Sequence, residues 1–200
     1  MAKTVDEIMA EFSAKGPQVL NDYHARLDEI RAIRQPGDGA YLDRLTDEQR
    51  MELLLEQKTE QAKEAHEKAL KDYTEVVESY HSALAKRKGY IKQHLFGVED
   101  AGALSRAATA TDAELGVLLD IAAQAGNAEL GRAVFVAAEQ RELGNLMHDY
   151  FEKINPEGRE LYQEWSRLPP QEILKRQQNV DAILPAPNPD SLMPRATMVY

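Results

Sequence analysis

Glu78-Ser79-Tyr80-His81 is the stretch of this sequence that comes nearest to a chemical site. A Glu-x-x-His pair places a carboxylate and an imidazole on one face of a helix, and a di-iron bundle needs two such pairs plus further inward Glu residues. The second half of the chain has Asn145 where the Glu three residues before His148 would stand. A lone Glu-x-x-His arises readily in a Glu-rich helix, so no metal and no cofactor is expected. His-Glu-x-x-His and an Asp-rich calcium loop do not occur in the sequence. Neither does Cys, which removes disulfides, thiolate metal sites and thiol nucleophiles together.

Other catalytic arrangements fare no better. No Gly-x-Ser-x-Gly turn presents a serine, and Ser79, Ser82 and Ser105 fall in helical or linker context. Gly37-Asp38-Gly39 lacks the Walker spacing and a following strand, and reads as a turn. Carboxylates are numerous, but their spacing suits solvent-facing charge rather than an acid and a base paired in a cleft. The expectation is a protein that is not an enzyme. His66 lies in the apolar stripe of a helix, where it is either a titrating register device or a half-exposed residue of a thin seam. Tyr73, Tyr80 and Tyr90 follow on the same face, flanked by Leu84 and Ile91. These five residues belong either to the chain's own core or to a partner-binding surface.

The elements that carry these residues are helices. Thr4 with Glu7, Thr46 with Gln49 and Thr111 with Glu114 are three capping boxes, each followed by apolar residues at helical spacing. Gly16-Pro17 ends the first helix and starts a second at Pro17. From Thr46 no Gly or Pro appears until Gly89, so one helix of close to fifty residues is expected over 46–95, roughly 70 Å long at about 1.5 Å per residue. Its stripe is read as a coiled-coil seam with alternating 4-3 spacing: Ala62, His66, Ala69, Tyr73, Val76, Tyr80, Ala83, Arg87, Tyr90. The seam's partner is either the helix after Pro17 folded back or a second chain. Residues 97–110 read as a small-residue linker with a short turn. A helix capped by Thr111 stops at Gly126, and Asn127 caps another of about 27 residues. Asn155-Pro156 and Pro169-Pro170 restart the helical course.

The fold expected is therefore all-α and elongated. Its parts are helices and a long-helix stalk over 1–96, a linker over 97–110, a helical cluster over 111–184 and an extended proline-bearing arm over 185–200. No strand pattern or internal repeat is present. The net charge of −10 argues against a duplex-binding module, and Lys86-Arg87-Lys88 with Lys92 reads as a solvated face. No run approaches the roughly 18 apolar residues that span a bilayer. The first residues lack the basic and apolar regions of a signal peptide. Neither sequence-specific nucleic acid nor a membrane is an expected partner.

The arm carries the clearest functional signal. Pro185, Pro187, Pro189 and Pro194 hold it extended, and it ends with apolar side chains: Leu192, Met193, Met198, Val199 and Tyr200. Such residues at a terminus suit docking on another protein subunit. In architecture the chain resembles the head-to-tail connecting subunits and other minor structural proteins of tailed bacteriophages. That resemblance implies a virion component, homo-oligomeric in its assembly, whose arm docks on portal- or neck-type neighbours. The long helix departs from the pattern. Two other readings stand beside it: a cytoplasmic helical binding module, such as an assembly chaperone or coiled-coil regulator, and more remotely a ferritin-like bundle enzyme.

Overall fold

A computed structural model describes residues 3–36 and 44–193. Within them the chain is all-α, with nine α-helices, one 3₁₀ turn and no strand. The helices are α1 (Val5–Ala32), α2 (Asp47–Phe96), α3 (Ala101–Thr109), α4 (Asp112–Ala125) and α5 (Ala128–Gln140). They continue with α6 (Gly144–Lys153), α7 (Gly158–Ser166), α8 (Gln171–Gln177) and α9 (Val180–Ile183), and the 3₁₀ turn is Pro189–Leu192. No helix among the described residues is long and apolar enough to cross a membrane.

All three capping boxes form. Glu7 N–H donates to Thr4 Oγ1 and Thr4 N–H to Glu7 Oε2, and the same exchange links Thr46 with Gln49 and Thr111 with Glu114. The long helix α2 is continuous, and its 50 residues correspond to about 75 Å. Three boundaries differ from the sequence expectation. Helix α1 runs through Gly16-Pro17 without stopping. Proline removes a single helical hydrogen bond, and apolar anchors lie on both sides: Phe12 before it, Leu20 and Tyr23 after it. The glycine leaves room there, since a Cβ on Gly16 would lie 3.8 Å from the Tyr73 ring. Residues 101–109 form α3 rather than a linker, because the Asp100 side chain accepts from the Gly102 and Ala103 N–H groups. The 27-residue helix after Asn127 is two helices, α5 and α6. The break is a Schellman turn in which Leu143 N–H bonds Ala138 O and Glu142 N–H bonds Glu139 O. Glu142 takes the left-handed position at φ 57 that glycine normally fills.

The described residues form two compact units that are not contiguous in sequence. This division follows spatial contact, so it cuts across the expected boundaries near 97–110. The first unit is Met1–Ile8 with Ser82–Pro169. Its centre is α5, whose Ala133, Val134, Phe135 and Ala138 are fully enclosed, with α3, α4 and α6 packed on it. Phe135 stacks on Tyr150 at 4.8 Å and meets Phe151 edge-on at 5.2 Å and Tyr162 at 5.7 Å. A Cβ on Gly131 would collide with Ile154, so α5 presents bare backbone there.

The same unit holds a buried ion pair. Arg87 grips Glu164 through two hydrogen bonds of 2.9 and 2.7 Å, with side chains only 10% and 14% exposed. Glu164 Oε2 also accepts from Val5 N–H at the start of α1, where a carboxylate suits the positive helix end. One carboxylate thereby ties α1, α2 and α7 together. Arg87 is thus not on a solvated face. Its charge could not be left unpaired in this setting, and α7 supplies the partner.

The second unit is Met9–His81 with Pro170–Tyr200. Here α1 folds back antiparallel on α2: Phe12 stacks on Tyr80 at 4.3 Å, Gly16 faces Tyr73, and the Arg31 carbonyl meets Lys58. The core joins Tyr23, Leu27 and Ile30 of α1 to Ala62, Ala69, Tyr73 and Val77 of α2. Leu184 and Leu192 complete it.

Along α2 the buried stripe is not the expected heptad seam. Lys58, Ala69, Tyr80 and Ile91 repeat every eleven residues, and so do Ala62, Tyr73, Leu84 and Leu95. Val76 and Ala83 are only partly covered, and Tyr90 is 43% exposed. A heptad drifts about 20° per repeat on an undistorted helix, whereas eleven residues close three turns almost in register. The stripe that α2 buries against its own chain therefore follows the eleven-residue period of an undistorted helix.

Candidate functional site

The candidate site is the place where the second unit binds the chain's own C-terminal segment. Residues 184–192 read Leu-Pro-Ala-Pro-Asn-Pro-Asp-Ser-Leu, and each end is a leucine with about 1% exposure. The segment sets part of its own shape. The Asn188 side chain accepts from Asp190 N–H, and its carbonyl accepts from Ser191 N–H and Oγ. Pro189 at the head of this turn has its φ fixed in advance.

Three side chains of α1 and α2 then donate to backbone carbonyls of the segment. Lys58 Nζ donates to Leu192 O at 3.0 Å, Arg31 Nε to Ser191 O at 3.3 Å, and His66 Nε2 to Leu184 O at 2.9 Å. A carbonyl only accepts, so His66 carries its proton on Nε2. Lys58 has no exposed surface at all, and its ammonium also donates to Arg31 O at 3.0 Å, close to the end of α1. That site suits a cation, since the last carbonyls of a helix carry its negative pole. Burial, and then the nearby Arg34 charge, push the Lys58 amine below its ordinary value. Tyr23, 5.9 Å from the His66 ring, has a buried hydroxyl without a partner, and burial pushes it up.

The energetics are close to balance. Burying two leucines contributes about 5 kcal/mol and three hydrogen bonds about 3 kcal/mol more. Ordering nine residues costs about 9 kcal/mol, less for the three prolines whose φ is already set. A cavity of about 170 Å³ remains under the segment, between Thr59, Lys63 and His66 on one side and Ala186, Pro187 and Pro189 on the other. The α1–α2 pair also carries a groove of about 590 Å³. Val19, Tyr23, Ala65 and Ala69 line it together with charged Asp22, Arg26, Glu29, Glu64, Lys68 and Asp72.

The residues singled out from sequence fall in different places. Tyr73, Tyr80, Leu84 and Ile91 are buried within the chain, at 6% exposure or less. Tyr90 is accessible, stacked on His94 at 3.9 Å with the Arg87 guanidinium 5.1 Å from its ring. Leu192 is 1% exposed. It is enclosed in the core of its own chain because α1 and α2 alone leave that core unfilled. Met193 is half-buried beside it. Met198, Val199 and Tyr200 lie outside the described residues.

Glu78 is exposed, while the His81 ring pairs with the Gln178 side chain at 3.1 Å and keeps a buried Nε2 without a partner. His148, Asp149 and Glu152 have ligand atoms within 4.8 Å of one another, the only such grouping among the described residues. It is mostly solvent-facing, with Lys153 on Asp149 and Arg159 near Glu152. Lys58 was missed altogether from sequence. Its signal was its place, since it is the one charged residue on the eleven-residue stripe.

No protein-family model, no curated protein and no solved structure matches this chain.

Proposed function

We propose that this protein is a non-enzymatic structural or assembly subunit that joins protein neighbours through its C-terminal segment. The observation that supports this reading is the binding of residues 184–192. A proline-bearing segment ending in a 3₁₀ turn is held by two buried leucines and by three donors to its backbone carbonyls. Proteins link subunits in this way when a terminal arm is laid across a helical surface. The finer reading is a virion component of the head-to-tail connecting kind, with portal- or neck-type neighbours and several copies per particle. It rests on the resemblance in architecture alone.

The test is to isolate the protein from its native source under gentle conditions and weigh what it travels with. A structural subunit sediments with a particle of defined composition in which it has a fixed copy number above one. Removing 192–200 takes Leu192 from its seat, leaves the helical far-ultraviolet signal largely intact and releases the protein from that particle. Recovery only as a small soluble species with one regulatory partner would instead favour the helical binding module. Stoichiometric iron or manganese in the purified protein would turn the reading towards the bundle enzyme.

A further inference from the structure

We propose that the seat on α1 and α2 receives the C-terminal segment of a second copy of this chain, in the register that its own segment adopts. The proposal rests on the assembly reading and names the joint. The seat is built to be occupied. Without the segment, the Lys58 ammonium keeps, among the described residues, only the Arg31 carbonyl, and the enclosed positions of Leu184 and Leu192 stand empty. The occupant is specified narrowly. It must place apolar side chains eight residues apart and offer carbonyls to His66, Arg31 and Lys58 at matching points. The sequence 184–192 of this chain meets that description, so every copy offers a fitting occupant for every other copy.

Exchange costs little, because a segment from a neighbour makes the same contacts as the resident one. Such trading of identical elements between protomers is a low-cost route to association. The stretch that would have to swing out contains no fully buried residue in α8 and α9; it is held by Val180 and Ile183, partly buried against the core, and by the Gln178–His81 bond, and Pro169-Pro170 precedes it. The turn at 188–192 is closed by its own hydrogen bonds, so the segment keeps that shape while changing seats.

The absence of Cys from the sequence makes a direct experiment simple. One batch of full chain carries Ala186→Cys with a donor dye, and another carries Lys63→Cys with an acceptor. Residues 63 and 186 line the same 170 Å³ cavity. Neither batch has both dyes, so any transfer reports two chains together, and transfer at the near-contact efficiency of dyes sharing one cavity reports the segment of one chain in the seat of another. The batches are mixed, warmed through the onset of melting and cooled. The expected result is transfer that rises in proportion to concentration while the exchanged form is the minority. A dimer or larger species appears with it. Leu192→Asp in the donor chain abolishes the transfer, whereas Asp190→Asn, at an exposed position, leaves it unchanged.

Larger species that form without that near-contact transfer would overturn the proposal while leaving the assembly reading intact. Monomers without transfer at every concentration, after warming, would overturn it as well. Failure of the assembly reading shows elsewhere, in the native particle, and does not depend on these dyes.

Discussion

The two units solve the same problem, enclosing a small all-α core, with opposite materials. The first fills its centre with rings. Phe135, Tyr150, Phe151 and Tyr162 interlock around a helix bared by glycine, and a paired arginine and glutamate close one side. The second has two helices that meet across alanine, tyrosine and leucine, with a gap that a remote piece of chain must fill. Among the described residues its buried cation pairs with carbonyls alone, one of them on that remote piece. The contrast shows how differently two cores can depend on distant sequence. The ring-packed core draws most of its residues from one continuous stretch, 103–151, whereas the seat is complete only with residues 184 and 192 in place.

The sharpest way to break the comparison is Phe135→Ala. Emptying the middle of the ring cluster is expected to cost about 4 kcal/mol in denaturant unfolding. Amide exchange should reveal the loss first over 115–151. If protection around Ala62 and Leu192 fell by as much, the cores would not be separately organised. Next in size is Glu164→Gln, expected to cost about 3 kcal/mol because it leaves Arg87 buried without its counter-charge.

This variant also carries a pH signature. The bond from Arg87 holds the Glu164 carboxyl below its ordinary value of 4.5, against the opposing effect of burial. A carboxyl with a lower value in the folded chain than in the unfolded one stabilises the fold fully above about pH 4.5. That contribution drains away as pH falls through the folded value. Wild-type melting temperature should therefore drop faster on acidification below that point than that of Glu164→Gln. Parallel curves would remove the ion pair from the account.

Lys58→Met probes the other core. It strips the Leu192 and Arg31 carbonyls of a donor and also relieves the burial of an ammonium, so about 1–2 kcal/mol is the expected loss. The distinguishing readout is local. Amides of 184–192 should exchange faster while those of α5 keep their protection. The smallest effect belongs to Glu142→Gly, where glycine relieves the left-handed backbone at φ 57. A gain of about 0.5–1 kcal/mol is expected in chemical denaturation. A loss would mean that the Glu142 side chain holds the turn between α5 and α6.

What could be read from sequence was what depends on neighbours within four residues. The caps at Thr4, Thr46 and Thr111 formed as read, and α2 begins and ends within one residue of its expected limits. Its terminal signals and its freedom from Gly and Pro are local facts. The failures all involve distance along the chain. Pro17 reads as a stop because the Tyr73 ring facing Gly16 cannot be seen from α1 alone. Glu142 gives no turn signal, since nothing in its type calls for the left-handed region. The seam period was misjudged because a stripe of 3.5 and one of 3.67 residues per turn coincide over a few turns and diverge over nine. The arm over 185–200 reads as one that docks, and of its apolar residues Leu192 has its seat on the same chain. That its seat lies on the same chain depended on Lys58, 134 residues before Leu192.

That separation has a consequence in time. At about 5–20 residues per second of synthesis, Leu192 follows Lys58 by roughly 7 to 27 seconds. For the part of that interval after Phe96 is made, α1 and α2 are complete while the Leu192 carbonyl that Lys58 meets has yet to be synthesised. Chains emerging side by side on one message would meet while some seats are filled and others are waiting. The order of translation, as well as affinity, would then set which segment arrives first.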